Sequence, residues 1–134
     1  VEILYMEEEM ERVYKPLDIL TDDEIKKILE NGIVEELLTL SLSVGQYNKK
    51  WKYAQDVCVK LAEHEDSAVR ANAVLGLAYI ARTKGKLEKH IVKPIILREL
   101  SENVEFRWRI IDAIEDINVF MKWNLGKNAL KHLE

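Results

Sequence analysis

The chain has one cysteine in 134 residues, so no disulfide can form within it. Cys58 lies in the apolar run DVCVKLA, which predicts a buried, unreactive thiol. Apolar runs are short and broken by charge, and none approaches the roughly 20 residues of a membrane-spanning helix. The opening VEILYMEEEMER carries acids where a secretory leader has bases, so a cytoplasmic location is the expectation. Phosphate-cradling GxxxxGK[ST] and GxGxxG loops are missing, as is the GxSxG elbow of a serine nucleophile. His64, His90 and His132 have no cysteine or second histidine at ligand spacing, which argues against a metal site. No catalytic residue and no cofactor is expected on these grounds.

What is present fits a globular chain. With 48% hydrophobic and 33% charged residues, the aliphatic content is far above that of disordered segments. The length suits one domain over 1–134 with a continuous core. A net charge of −4 conceals an asymmetry: residues 1–36 hold twelve acids against four bases, while the remainder is mildly basic. Such polarity can steer a charged partner, and it equally suits a solvated surface.

Two prolines and five glycines punctuate the sequence. Between them apolar residues recur at three- and four-residue spacing, the period of helices. A first helix is predicted over Ile3–Tyr14, ending before Pro16. The pattern TDDE predicts a second, with Thr21 and Glu24 forming a capping box, and Asn31-Gly32 reads as its left-handed stop. A third is expected over Ile33–Val44, ending near Gly45, and a fourth from Trp51 to about His64. In HEDSAVRANAVLGLAYIARTKGK, Asp66 or Ser67 caps a fifth helix whose Val69, Ala73, Gly76, Leu77 and Ile80 form one stripe, closed by Gly85. An interior glycine costs about 1 kcal/mol relative to alanine, so Gly76 predicts a close helix–helix approach. Pro94 either kinks the next helix, LEKHIVKPIILREL, or begins its main segment.

A shift of 37 residues lays Val69, Arg70, Ala73, Gly76, Leu77 and Ile80 on Phe106, Arg107, Ile110, Ala113, Ile114 and Ile117. A helical hairpin recurring at nearly that period suggests an α-solenoid. The segment DSAVRANAVLGLAYIA resembles the second-helix signature of HEAT repeats, with Asp in the turn, Val-Arg after it, then small residues and a central glycine. IVKPIILREL resembles that family's proline-bent first helix. The likeness is clearest over about 52–121, and Asn103 and Phe106 depart from it where Asp66 and Val69 conform. It implies an all-α fold, a short right-handed α-α superhelix of about three hairpins, degenerate at about 21–45 and clearer at about 51–84 and 87–123. It further implies a surface that binds another protein, since enzymatic members are rare.

The stretch EFRWRIIDAIEDINVFMKW has two faces. At about 100° per residue, Phe106, Ile110, Ala113, Ile117 and Phe120 share a core direction. Glu105, Trp108, Arg109, Asp112, Asp116, Val119 and Trp123 occupy a second arc, and Asn72, Leu75, Tyr79 and Arg82 take the equivalent places one repeat earlier. Second helices of a solenoid usually line its concave side, so Asn72, Tyr79, Trp108, Arg109, Asp112, Asp116 and Trp123 are the candidate partner-binding residues. Aromatics and arginine favour binding hot spots; internal packing and salt bridging explain the same residues. Asp112, Glu115 and Asp116 also share a helix face, where carboxylates can work as acid and base.

Three functions compete. The first is a non-catalytic module binding a protein on its concave face, in its sharper form a small inhibitor or toxin-immunity protein whose acids compete for a basic active site. The second rests on resemblance to HEAT-like DNA glycosylases, with Trp108, Asp112 and Trp123 as suspects. Lys49, Lys50, Lys52, Arg82, Lys84, Lys86 and Lys89, near turns, form another possible site for phosphate contacts and equally suit solvated turns, while the net negative charge and the few repeats oppose nucleic acid. The third is a structural protein that forms homo-oligomers through the end of its stack.

Overall fold

The computed structural model describes residues 17–126. Its helices are α1 (Asp22–Asn31), α2 (Val34–Tyr47), α3 (Trp51–Leu61), α4 (Ser67–Lys84), α5 (Lys89–Glu102) and α6 (Arg107–Met121). The helix expected over Ile3–Tyr14 and the histidine at 132 lie outside the described residues.

Side-chain caps set the starts of α1 and α4. Thr21 Oγ1 accepts the Glu24 N–H at 3.1 Å and Glu24 Oε1 accepts the Thr21 N–H at 2.8 Å, the reciprocal pair that TDDE predicts. Asp66 Oδ1 accepts the N–H groups of Ala68 and Val69 at 2.8 and 3.1 Å. Gly85 closes α4 with φ 65°. Two other glycines do something different from the expectation. Gly32 has φ −71° and is no left-handed stop; a Cβ there would lie 2.5 Å from the Ile28 carbonyl oxygen, so only glycine lets the chain turn this tightly into α2. Gly45 does not end its helix either. α2 runs on to Tyr47, and Gly45 lies in the crossing with α4.

The packing follows from that crossing. α2 and α6 lie along opposite sides of α4, and α1, α3 and α5 fold back on α2, α4 and α6 as hairpin partners. The result is an all-helical, two-row, solenoid-like stack. α4 is its centre: every residue from Ala71 to Ala81 is buried, so this helix shows no polar face at all over that span. A Cβ on Gly76 would meet Ser41 O at 2.6 Å and Cys58 Sγ at 2.8 Å, and one on Gly45 would meet Gly76 O at 2.5 Å. The expected close approach is therefore a glycine-to-glycine contact between α2 and α4. Cys58 is fully enclosed there, its Sγ 3.9 Å from Ser41 O, and burial pushes its thiol pKa up.

The 37-residue period reappears as repeated hydrogen bonds. Arg70 Nη1 donates to His64 O and Glu65 O, both at 2.9 Å. Arg107 donates to Leu100 O through Nε and to Ser101 O through Nη2, again at 2.9 Å. Each guanidinium thus satisfies carbonyls near the end of the preceding helix or just beyond it, where intrahelical partners run out. Asn103 stands where Asp66 stood and still accepts the N–H three residues on, that of Phe106, at 3.3 Å. Its Nδ2 also donates to Ser67 O and to Glu99 Oε1.

Glu99 is 2% exposed and sits between Arg70 Nε at 3.1 Å and Arg98 Nε at 3.2 Å. A second bridge fixes the α4–α5 connection: Gln55 Nε2 donates to Glu88 Oε1 at 2.8 Å, and Gln55 Oε1 accepts the Glu88 N–H at 2.7 Å. Pro94 is inside α5, whose first turn begins at Lys89, so it does not start the main segment. It lies on the exposed side with His90, where water can meet the carbonyl that its missing N–H leaves unbonded.

At the end of α6 the repeat exacts a strain. Lys122 takes the place of Gly85 and adopts φ 58°, a conformation that costs a residue with a Cβ about 1 kcal/mol or more. Lys122→Gly is accordingly expected to raise the unfolding free energy by about 0.5–1 kcal/mol, seen as a higher urea midpoint at unchanged slope. A lower midpoint would show that the lysine is held by contacts worth more than its backbone strain.

Candidate protein-binding face

α6 positions the site. Ile110, Ala113, Ile114 and Ile117 are fully buried against the stack, and this anchors the opposite side of the helix outward. On that side Trp108 is 77% exposed and Val119 67% exposed. Glu105, Asp112, Glu115 and Asp116 are exposed beside them. By the helical rotation of about 100° per residue, Trp108, Asp112, Glu115, Asp116 and Val119 fall within an arc of about 100°, and Glu105 lies in the turn just before the helix. A shallow depression of about 200 Å³ opens at its start, lined by Glu105, Phe106, Trp108, Arg109 and Asp112.

Among the described residues Asp112, Glu115 and Asp116 make no ion pair. Glu105 accepts a hydrogen bond from Ser67 Oγ at 3.0 Å. Arg109 is half-buried and turned inward: its Nη1 donates to Asn72 Oδ1 at 2.7 Å, and its guanidinium lies 4.8 Å from the centre of the Phe106 ring. Among the described residues no salt bridge joins it to the outer carboxylates.

The structure therefore divides the seven candidate residues. Trp108, Asp112 and Asp116 share the outer face, with Arg109 at its margin. Asn72 does not belong to a free surface: it is fully buried, and its Nδ2 donates to Leu38 O at 2.8 Å while its Oδ1 takes Arg109. It is a strut joining α2, α4 and α6. Tyr79 is also buried, its Cβ against Gly45 and its ring 4.4 Å from the Arg82 guanidinium. Both corrections have one cause, the enclosure of α4. Trp123 leaves the arc because Lys122 turns left-handed and ends the helix, so the helical rotation no longer carries to it. It is half-buried under Lys89 Nζ, 5.3 Å from the ring centre. Phe120, expected in the core, is 45% exposed, because it sits about 60° round from Ile117 toward the outer arc. Glu115 was outside the predicted set, although the same rotation puts it next to Trp108.

The basic residues near turns are partly committed elsewhere. Lys50 pairs with Asp22 at 2.5 Å, Lys52 with Glu88 at 3.6 Å, and Arg82 donates to Gln46 Oε1 at 2.6 Å. No helix of the described residues is long and apolar enough to cross a membrane. Among them, no group of three or more His, Cys, Asp or Glu side chains could hold a metal ion, so Asp112, Glu115 and Asp116 do not converge on a point.

No family model matches the chain, and no curated protein does. A solved structure does: a chain in the crystal structure of a CDI complex from Cupriavidus taiwanensis LMG 19424 aligns with a TM-score of 0.69 and 21% identity. The alignment covers 81% of this chain and 97% of that one, so the two share a fold across nearly the whole of the matched protein.

Proposed function

We propose that this chain is a non-catalytic protein-interaction module, a short solenoid of about three HEAT-like hairpins, which binds a protein partner on the outward face of α6. In the cell it would serve as a small cytoplasmic inhibitor of the immunity-protein kind. The observation that carries the reading is Trp108: a tryptophan that is 77% exposed, flanked by carboxylates that make no ion pair among the described residues, on a helix otherwise well packed. An indole left in water forgoes stabilisation that burial against a partner would supply. The repeated Arg70 and Arg107 contacts support the hairpin reading. The fold shared with a chain from a complex supports a partner-bound role. The concave row named from sequence is replaced by the α6 edge, since α4 offers no free face.

The test uses the protein encoded beside this chain in its genome, co-expressed with it and sized by chromatography with light scattering. A stable heterodimer is expected. Trp108→Ala should weaken it by about 100-fold, or about 2.7 kcal/mol, while shifting folding stability by no more than about 0.5 kcal/mol. Absence of a complex, or a complex indifferent to Trp108, would refute the assignment.

A further inference from the structure

The α6 face has a pattern as well as an exposure. From Trp108 to Val119 it runs twelve residues, about 16 Å along the helix axis. Apolar side chains stand at the two ends, Trp108 at one and Val119 at the other. Asp112, Glu115 and Asp116 lie between them without cationic partners among the described residues. A second copy of this chain would set carboxylates against carboxylates, and a phosphate backbone would be repelled in the same way.

Resting on the protein-binding reading above, we infer that the partner is a basic protein which lays an arginine-bearing strip along α6. Its guanidinium groups meet the central carboxylates and its apolar flanks cover Trp108 and Val119. Arginine suits the geometry better than lysine. Its planar fork can bond Asp112 with two parallel N–H donors while its face stacks on the neighbouring indole of Trp108. The depression between Trp108 and Asp112 is where one such side chain seats. Arg109, the one base lining it, donates to Asn72 and lies over the Phe106 ring, and among the described residues no ion pair joins it to Asp112.

The probes are hexa-arginine, hexa-lysine and hexa-glutamate peptides, titrated into the full chain while the tryptophan indole N–H signals are followed by NMR. Hexa-arginine should shift the Trp108 signal and leave that of Trp51 in place. Hexa-lysine should bind several-fold more weakly, and hexa-glutamate should do nothing. Neutralising the stripe with D112N, E115Q and D116N together should weaken hexa-arginine at least tenfold. D23N with E30Q, which removes the same sign of charge from α1, should change it less than twofold. Raising salt to about 0.5 M should also weaken it strongly. No shift at Trp108 up to millimolar peptide, or equal losses in the α1 and α6 variants, would overturn the inference. A heterodimer that needs Trp108 but ignores both salt and the three carboxylates would leave the protein-binding reading standing and remove the basic partner. Failure of both experiments would remove the two together.

Discussion

Gly76→Ala is expected to lower the unfolding free energy by about 3 kcal/mol, although alanine is the better helix former by about 1 kcal/mol. The added methyl would sit 2.6 Å from the Ser41 carbonyl oxygen and 2.8 Å from both Ser41 Cβ and Cys58 Sγ. The nearest of these is backbone and cannot rotate away, so α2 must move off α4. That movement breaks the packing of the two most enclosed helices of the stack. Urea unfolding followed by circular dichroism should show the loss, with a fall in Tm on the order of 10 °C. Adding Cys58→Ala removes one of the three contacts, so the double variant should recover part of the loss in a mutant cycle. A Gly76→Ala protein as stable as the parent, or more so, would mean that the α2–α4 spacing is looser than the structure has it.

Glu99→Ala should cost a similar amount, about 3 kcal/mol, for an electrostatic reason. Glu99 Oε1 takes Arg70 Nε at 3.1 Å and Asn103 Nδ2 at 3.0 Å, and Oε2 takes Arg98 Nε at 3.2 Å. Its removal leaves one buried amide proton and two guanidinium edges short of an acceptor. A fully buried pair broken this way costs about 3–5 kcal/mol. The effect here falls at the low end because Arg70 and Arg98 are 24% and 33% exposed, so solvent screens part of the interaction. They also keep backbone acceptors at His64, Glu65 and Ala62. Glu99→Gln preserves the shape and one oxygen acceptor and should lose about half as much. Equal stability of all three proteins would show that the carboxylate is dispensable.

Sequence made the local events legible and left the crowded ones obscure. Thr21, Asp66 and Gly85 act through neighbours two to four residues away, so spacing alone announces them. Gly76 was readable as a close contact because a glycine in mid-helix has a known cost. Gly32 does end α1, but in an extended rather than a left-handed conformation, and α2 runs two residues past Gly45, because what a glycine does depends on what lies across from it. Asn72 and Tyr79 have polar atoms suited to a surface, yet both are buried, Asn72 bonded to Leu38 and Arg109 and Tyr79 packed against Gly45. Nothing in their own helix distinguishes a strut from an exposed contact. On α6 the outer arc was legible from rotation alone for Trp108, Asp112 and Asp116. It failed at Trp123, where a single left-handed lysine ended the helix before the rotation reached it.

The burial of α4 on every side separates two kinds of work. Its amides can reach water only when its neighbours detach, so hydrogen exchange along Ala71–Ala81 should be the slowest in the molecule and report its global opening. On α6, Trp108 and Val119 are mostly exposed, and Asp112, Glu115 and Asp116 make no ion pair among the described residues. Mutation can therefore rewrite that stripe position by position at little cost to folding, and its sequence is free to follow a partner that changes over evolutionary time while the scaffold beneath stays fixed.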